Sequence, residues 1–418
     1  MRPDATPHAP TPSPPSTPTT PSTDASRPPG RGLPLHALLA LATAVFVTSL
    51  TETLPAGVLP AMSADLGVGE PAMGQSVTVY AVGTALTAIP LAAATAGWRR
   101  KRLLLAAMGA FAVANTVTAA SPDYALTMAA RFAAGVAAGL VWAMLVGYAR
   151  ALVPARLRGR AVAVVMAGIP IALSLGVPAG TLLGGLLGWR VAFALMSVLT
   201  VVLIGWILAL VPDRPGRRTG ARTPLLRTLA LPGVGPVLSV TLVFVLAHTV
   251  LYTYIAAFLH RIGTGASVDL VLLVFGVASL VSIAVVGARI DRRPRALTVA
   301  ATLLVAAAAT LLAVSDGGTA AVYAAAALWG LGWGGVPTLL QTAVADAGGD
   351  AADTAQSMLV TLWNAAMAGG GVVGGVLLTR LDHTSFAWSV PVLLVPVLIV
   401  VVGARAHGFP ATRLDAGS

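Results

Sequence analysis

The chain reads as an all-α polytopic membrane protein, with twelve transmembrane helices arranged as two six-helix pseudo-repeats. Three observations carry that reading. The first is composition. Of 418 residues, 57% are hydrophobic and 10% are charged, with a mean hydropathy of +0.86. A soluble domain carries roughly 25% charged residues, so a soluble fold would need a core larger than this chain can enclose. The second is that apolar runs of about 20 residues, enough to cross about 30 Å of hydrocarbon as a helix, recur along nearly the whole length. The third is that 22 of the 26 Lys and Arg residues lie outside those runs, on every second connection.

That alternation sets the expected orientation. The basic groups are Arg2, Arg27 and Arg31; Arg99 to Arg102; Arg150, Arg156, Arg158 and Arg160; Arg214, Arg217, Arg218, Arg222 and Arg227; Arg289, Arg292, Arg293 and Arg295; then Arg405 and Arg413. Arg190, Arg261 and Arg380 fall on the intervening connections, and Arg131 falls inside an apolar run. Cytoplasmic loops retain Lys and Arg because their translocation is unfavourable. The expectation is a multi-pass protein of the inner (plasma) membrane with both termini in the cytoplasm. The connection holding Asp346, Asp350 and Asp353 is acidic and fits this pattern least well.

Taken in order, the spans run at about 35–60, 72–95, 103–120, 123–152, 160–187, 190–211, 234–260, 268–288, 296–314, 319–345, 355–379 and 385–404. Residues 1–32 are rich in Pro, Ser and Thr and cannot bury enough surface to order themselves. They are expected to be a disordered cytoplasmic tail rather than a signal peptide. The expected organisation is an N-terminal half at 33–211, a cytoplasmic linker at 212–232, a C-terminal half at 233–404 and a cytoplasmic tail at 405–418. A cysteine placed at Ala221 in the linker is expected to be inaccessible from outside. The chain has no native cysteine, so disulfides and thiolate metal sites are excluded.

The halves read as repeats. Gly97 to Arg102 matches Ala288 to Arg295, Gly139-Leu140-Val141-Trp142 matches Gly330-Leu331-Gly332-Trp333, and Gly184-Gly185 matches Gly374-Gly375, all at an offset of about 190 residues. A constant offset marks duplication. Two parallel six-span halves with a site between them is a transporter architecture.

Glu52 is the acidic residue that falls deep in a span, beside Pro55 and Pro60. A carboxylate there is costly, so it is expected to face a cavity or carry a proton. Arg131 lies near the start of the fourth span with Gly135 and Gly139 above it. It reads either as a coupling residue or as an arginine snorkelling to the nearer surface. Gly176, Gly180, Gly184 and Gly188 recur every four residues with Pro178 between them, a groove for close helix approach. His248 can titrate near neutral pH or simply pack. Tyr80, Trp142, Tyr252, Tyr254, Trp333, Trp363 and Asn364 can line an aromatic, weakly polar cavity, or anchor at the membrane interface. No phosphate loop, metal constellation or nucleophile triad is visible. The net charge of +11 is spread over short loop clusters and points to lipid head groups rather than nucleic acid.

These residues resemble the major facilitator superfamily, and within it the twelve-span drug:proton antiporters, especially the bacterial branch of arabinose, sugar and purine-nucleoside exporters and actinobacterial chloramphenicol-resistance proteins. The resemblance covers roughly residues 35–405. Thr51-Glu52-Thr53-Leu54-Pro55-Ala56-Gly57-Val58-Leu59-Pro60, with Asp65-Leu66 and Tyr80, is similar to that branch's first-span signature. Arg131, Gly135 and Gly139 are similar to a fourth-span motif linked to proton coupling. Gly176 to Gly180, Gly184 and Gly188-Trp189-Arg190 are similar to the fifth-span antiporter motif. Arg99, Arg100 and Arg102 resemble the family's loop motif, but its acidic residue appears only as Asp291, with Arg292, in the second half.

The resemblance implies the major facilitator fold and a secondary transporter, not an enzyme. It would export a drug or antibiotic in exchange for protons, with Glu52, Arg131 and His248 as proton-coupling residues. The same fold could instead export a sugar or nucleoside; a receptor or membrane enzyme is the remote alternative. Expected partners are a small-molecule substrate, protons and membrane lipid, with no cofactor, no metal, no nucleic acid and a monomeric chain.

Overall fold

The computed structural model describes residues 33–216, 224–263, 268–315, 318–380 and 383–411. The tail 1–32, linker residues 217–223 with Arg217, Arg218, Ala221 and Arg222, parts of three short connections and the last residues with Arg413 lie outside the described residues.

The first four passages are single helices: α1 (Leu35–Asp65), α2 (Glu70–Thr95), α3 (Arg100–Ala120) and α4 (Tyr124–Ala151). The fifth is segmented into α5 (Arg158–Met166), α6 (Gly168–Ile171), a π-helical turn (Ala172–Gly176) and α7 (Val177–Leu187). Pro178 has no backbone N–H to continue the ladder, and the widened turn ends two positions before it, at Gly176. Then come α8 (Trp189–Leu210), a short α9 (Leu225–Leu229) in the linker, α10 (Val234–Arg261), α11 (Val268–Arg289) and α12 (Pro294–Val314). The tenth passage is broken at Gly334-Gly335 into α13 (Thr319–Trp333) and α14 (Val336–Gly348), followed by α15 (Ala352–Arg380) and α16 (His383–Gly403). Neither break falls where Pro55 and Pro60 lie, since α1 runs through both.

Ten stretches among the described residues are long and apolar enough to cross a membrane. One of them, Thr319–Leu377, is 59 residues; at about 1.5 Å per residue it covers two crossings of about 30 Å. With the segmented fifth passage, the helices make a twelve-passage arrangement.

Buried apolar side chains form two clusters, one drawn from Ala37 to Val211 with Ile283 and Ala345, the other from Val234 to Phe409. Exposed Leu186, Val202, Val372 and Val392 present the apolar surface that lipid solvates. The pseudo-repeat is visible in matched contacts. Thr84 Oγ1 donates to the Gly135 carbonyl at 3.0 Å, and Ser279 Oγ donates to the Gly330 carbonyl at 3.3 Å. A side chain on Gly135 would overlap the Tyr80 carbonyl, and one on Gly330 the Phe275 carbonyl. Thr84 and Ser279, Gly135 and Gly330, and Gly139 and Gly334 are each 195 positions apart. The sequence match of Gly139 with Gly330 is therefore one helical turn out of register. Glycines recur every four residues in both helices, so the motif repeats against its own next turn.

Candidate functional site

Glu52 lines a cavity between the halves, of about 70 Å³. Thr84 and Trp142 join it from the N-terminal half, and Gln341, Trp363 and Asn364 face it from the other. Trp142 and its repeat partner Pro337, again 195 positions on, both line it. Space of this size holds a few waters, less than a drug-sized ligand fills.

Glu52 is positioned from behind. Pro55 cannot donate to the Thr51 carbonyl four residues earlier, so α1 carries an orphan acceptor one residue before Glu52. Arg131 supplies the missing donor: its Nη1 lies 2.7 Å from the Thr51 carbonyl. Nη2 donates to the Glu52 carbonyl at 3.4 Å and Nε to the Ser76 carbonyl at 3.4 Å. Its guanidinium also lies 4.9 Å over the Tyr80 ring. Arg131 is fully buried, which overturns the snorkelling alternative. It is the Glu52 carbonyl, not the carboxylate, that takes its hydrogen bond, which leaves the acid free toward the cavity.

The aromatic set does not share one cavity. Trp142, Trp363 and Asn364 line the cavity of Glu52, whereas Tyr252 and Trp333 line a second cavity of about 550 Å³. Tyr80 and Tyr254 line neither. Tyr80 is buried with its hydroxyl donating to the Thr48 carbonyl at 3.2 Å, and the Tyr254 hydroxyl donates to the Gly371 carbonyl at 2.7 Å. Both phenols are committed to neighbouring helices. The His248 Nδ1 accepts from Trp329 Nε1 at 3.1 Å, and its ring lies flat on Trp333. His248 is thus on the aromatic side, away from the residues lining the Glu52 cavity.

The fifth-passage glycines pack on α1 turn for turn. A methyl group on Gly176 would stand 3.1 Å from the Phe46 ring, on Gly180 2.6 Å from Leu54 Cδ1, and on Gly184 2.5 Å from Val58 Cγ1. Gly168, which sequence reasoning missed, continues the row against Ala42. Gly188 does not belong to this face: it has φ +90° and open space around it, and it makes the turn into α8.

Below the Glu52 cavity, toward the arginine-rich end, the halves are joined. Gln341 Nε2 donates to Met166 Sδ at 3.2 Å. Arg150 pairs with Asp346 at 2.6 Å, and Arg100 pairs with the buried Asp353. Asp291 accepts from the Gly159 and Arg160 N–H groups, at 2.7 and 3.1 Å, and so caps α5 of the opposite half. Arg99 stays in its own half and pairs with Asp213. Slight burial opposes it, but the Arg99 side chain and the Lys101 and Arg214 N–H groups hold the Asp213 carboxyl below its usual range. Arg102 and Arg292 are exposed. At the opposite end Arg190 pairs with Asp65, which also accepts from Trp189 Nε1 at 3.0 Å; this ties α1 to α8 within one half. Among the described residues, no ion pair joins the halves there.

Two six-helix units meeting around a cavity, with ion pairs joining them at one end only among the described residues, are the architecture of a membrane transporter. The chain belongs to the major facilitator superfamily, whose model matches residues 41–371; it is a multi-pass transporter and not an enzyme. A chloramphenicol efflux pump of Mycobacterium tuberculosis is 32% identical over 366 residues, covering 82% of this chain and 86% of that protein. A purine ribonucleoside efflux pump of Salmonella paratyphi C is 29% identical over 373 residues, covering 88% and 94%. A Pseudomonas aeruginosa protein called transcription regulatory protein OpdE is 30% identical over 379 residues, covering 88% and 94%. The crystal structure of the human organic anion transporter MFSD10 superposes with a TM-score of 0.75 at 16% identity, over 89% of this chain and all of that one, and shares the fold.

Proposed function

We propose that the chain exports a drug-like small molecule in exchange for protons by alternating access, as a monomer of the plasma membrane with its arginine-rich end and both termini in the cytoplasm. One observation carries it: a lone carboxylic acid, Glu52, lies among the residues lining the cavity between the halves, with its backbone held by a buried arginine. An intramembrane acid facing a cavity is the default proton carrier. Two relatives named as efflux pumps support the outward direction. On this orientation the structure is the state closed to the cytoplasm. Glu52 takes its proton from outside, and water entering from the cytoplasm solvates the carboxylate and lets the proton leave. Arg131 keeps the orphaned carbonyl of α1 satisfied through both states. His248 we assign to the aromatic wall rather than to the proton path. A nucleoside exporter is the second reading, favoured by the purine ribonucleoside efflux relative.

The direct test is everted vesicles carrying the protein, with an imposed pH gradient and labelled chloramphenicol or a purine ribonucleoside. Accumulation that an uncoupler collapses is the expected result. Uptake indifferent to the gradient would overturn the proton coupling, whichever substrate is moved.

Topology has its own check. With no native cysteine, a cysteine at Asp350 or Ala221 should resist an impermeant thiol reagent in intact cells and react in everted vesicles. Labelling in intact cells would reverse the orientation.

The pairs at the cytoplasmic end act as the latch of the closed state. Breaking a buried ion pair by removing one partner costs about 3–5 kcal/mol, and Arg100 and Asp353 are each 11% exposed. Arg100→Asp should therefore cut export strongly and expose a cysteine near Gln341 to cytoplasmic reagent. The swap Arg100→Asp with Asp353→Arg should restore much of the export. Equal export by the single and double variants would remove the pair from the cycle.

A further inference from the structure

The second cavity asks for a ligand of definite chemistry. Its volume of about 550 Å³ falls within the range of drug-sized sites. Pro170, Leu173 and Val177 close it from the fifth passage, and Tyr252, Phe275 and Trp333 face it from the other half. No charged residue is among its lining.

The second wall is built of rings that fix one another. His248 lies on Trp333 with centroids 3.4 Å apart and planes 4° apart. Tyr252 stacks beside His248 at 5.5 Å, and Phe275 packs on Trp329 at 4.4 Å. The Trp329 N–H is spent on His248, and the Ser279 hydroxyl is spent on the Phe275 and Gly330 carbonyls. Tyr252 remains 39% exposed as a residue, and its hydroxyl makes no hydrogen bond among the described residues. Trp333 and Trp363, with centroids 5.7 Å apart, stand between this cavity and that of Glu52.

The wall therefore offers pre-positioned ring faces, the Tyr252 hydroxyl, the Trp333 N–H and no charge. A flat π system gains most from such a surface, by offset or edge-on stacking. An anion or a polyhydroxylated ligand would lose its hydration against at most two compensating groups, the Tyr252 hydroxyl and the Trp333 N–H. A flexible alkyl chain would give up rotamer freedom to fill the same space. We propose that this cavity is a binding subsite for a neutral, flat aromatic or heteroaromatic group, with the ligand's remaining substituents reaching past Trp333 and Trp363 toward Glu52. Calling that ligand an export substrate rests on the transport reading above; the binding itself does not.

The test measures binding and export separately. The full chain in lipid nanodiscs is titrated by equilibrium dialysis with chloramphenicol and a purine ribonucleoside, which carry flat rings, and with arabinose and octanol, which do not. Saturable binding of at least one ring compound, and none of arabinose or octanol, is expected. Tyr252→Leu should weaken ring binding roughly three- to tenfold, the scale of one aromatic contact. Tyr252→Phe should separate the hydroxyl from the ring with a smaller loss. Trp333→Leu should weaken it at least as much as Tyr252→Leu; because Trp333 packs against the core, the exposed Tyr252 variants decide the matter. Leu195→Ala, on the lipid-facing side of α8, is the control. Absence of ring binding to the native chain, octanol or arabinose binding as tightly, or indifference to Tyr252→Leu would each overturn the site. Ring binding that responds to Tyr252 in a protein showing no proton-driven export would instead sink the transport reading and leave the site standing.

Discussion

Glu52→Gln is expected to abolish accumulation against a gradient while leaving substrate binding nearly intact. The argument is one of charge states. Exchange of a proton for substrate needs a group that is charged in one access state and neutral in the other, and each ligand shifts the cycle only by its differential affinity for the two states. Glutamine keeps the shape of the neutral acid and cannot release its proton. A gradient of about one pH unit is worth ~1.4 kcal/mol per proton and sustains at most about tenfold accumulation for each proton exchanged. The variant should show none, while downhill exchange of labelled for unlabelled substrate can persist. Glu52→Asp should keep partial activity with an altered pH profile, because the carboxyl is withdrawn by one methylene from the cavity it lines. Uphill export by Glu52→Gln that still collapses with an uncoupler would place the carrier elsewhere, and Arg131 with its neighbours would be examined next.

The cost of burying a charge made part of this site readable from sequence. A carboxylate and a guanidinium inside apolar runs are too expensive to be incidental, and the structure puts both Glu52 and Arg131 at the junction of α1, α2 and α4. The link between them was also written in the chain. A proline four residues after Thr51 leaves a carbonyl without a donor, and a buried arginine is a multi-donor group. What one-dimensional reading lacked was the fact that those two positions face each other across helices.

The division of the aromatic residues between two cavities was not legible for a related reason. The sequence match makes Trp142 and Trp333 equivalents; the packing contacts shift the register by four residues, about 6 Å along a helix. Pro337 then becomes the counterpart of Trp142, and Trp333 moves to the neighbouring cavity. Glycines every fourth residue fix which face packs but not which turn. The acidic connection before α15 was likewise legible only in three dimensions. Asp346 and Asp353 disturb the arginine pattern along the chain, yet in space they are the partners of Arg150 and Arg100.

Gly184→Leu is expected to block export in a protein that still reaches the membrane, whereas Gly185→Leu next to it is expected to be silent. The two glycines are adjacent and differ in what they meet. A methyl group on Gly184 would stand 2.5 Å from Val58 Cγ1, and one on Gly185 has nothing within 4 Å. Val58 is β-branched and stiff about χ1, so it cannot swing aside, and α1 must be pushed away. Overpacking of this kind costs typically ~1–3 kcal/mol, small enough for helices held by many other contacts to assemble. Its effect on the cycle is larger, because α1 carries Glu52 less than two turns from that contact and small residues at such a face set how closely the helices can approach. Gly180→Leu meets the flexible end of Leu54, at 2.6 Å from Cδ1, and should be the milder of the two. Export per molecule, normalised to the amount in the membrane, separates a moving interface from a static one. If Gly184→Leu lowers only the amount or the thermal midpoint and each remaining molecule turns over normally, the row of glycines is packing alone. A loss of turnover at normal abundance means that α1 and α7 must change their approach during transport.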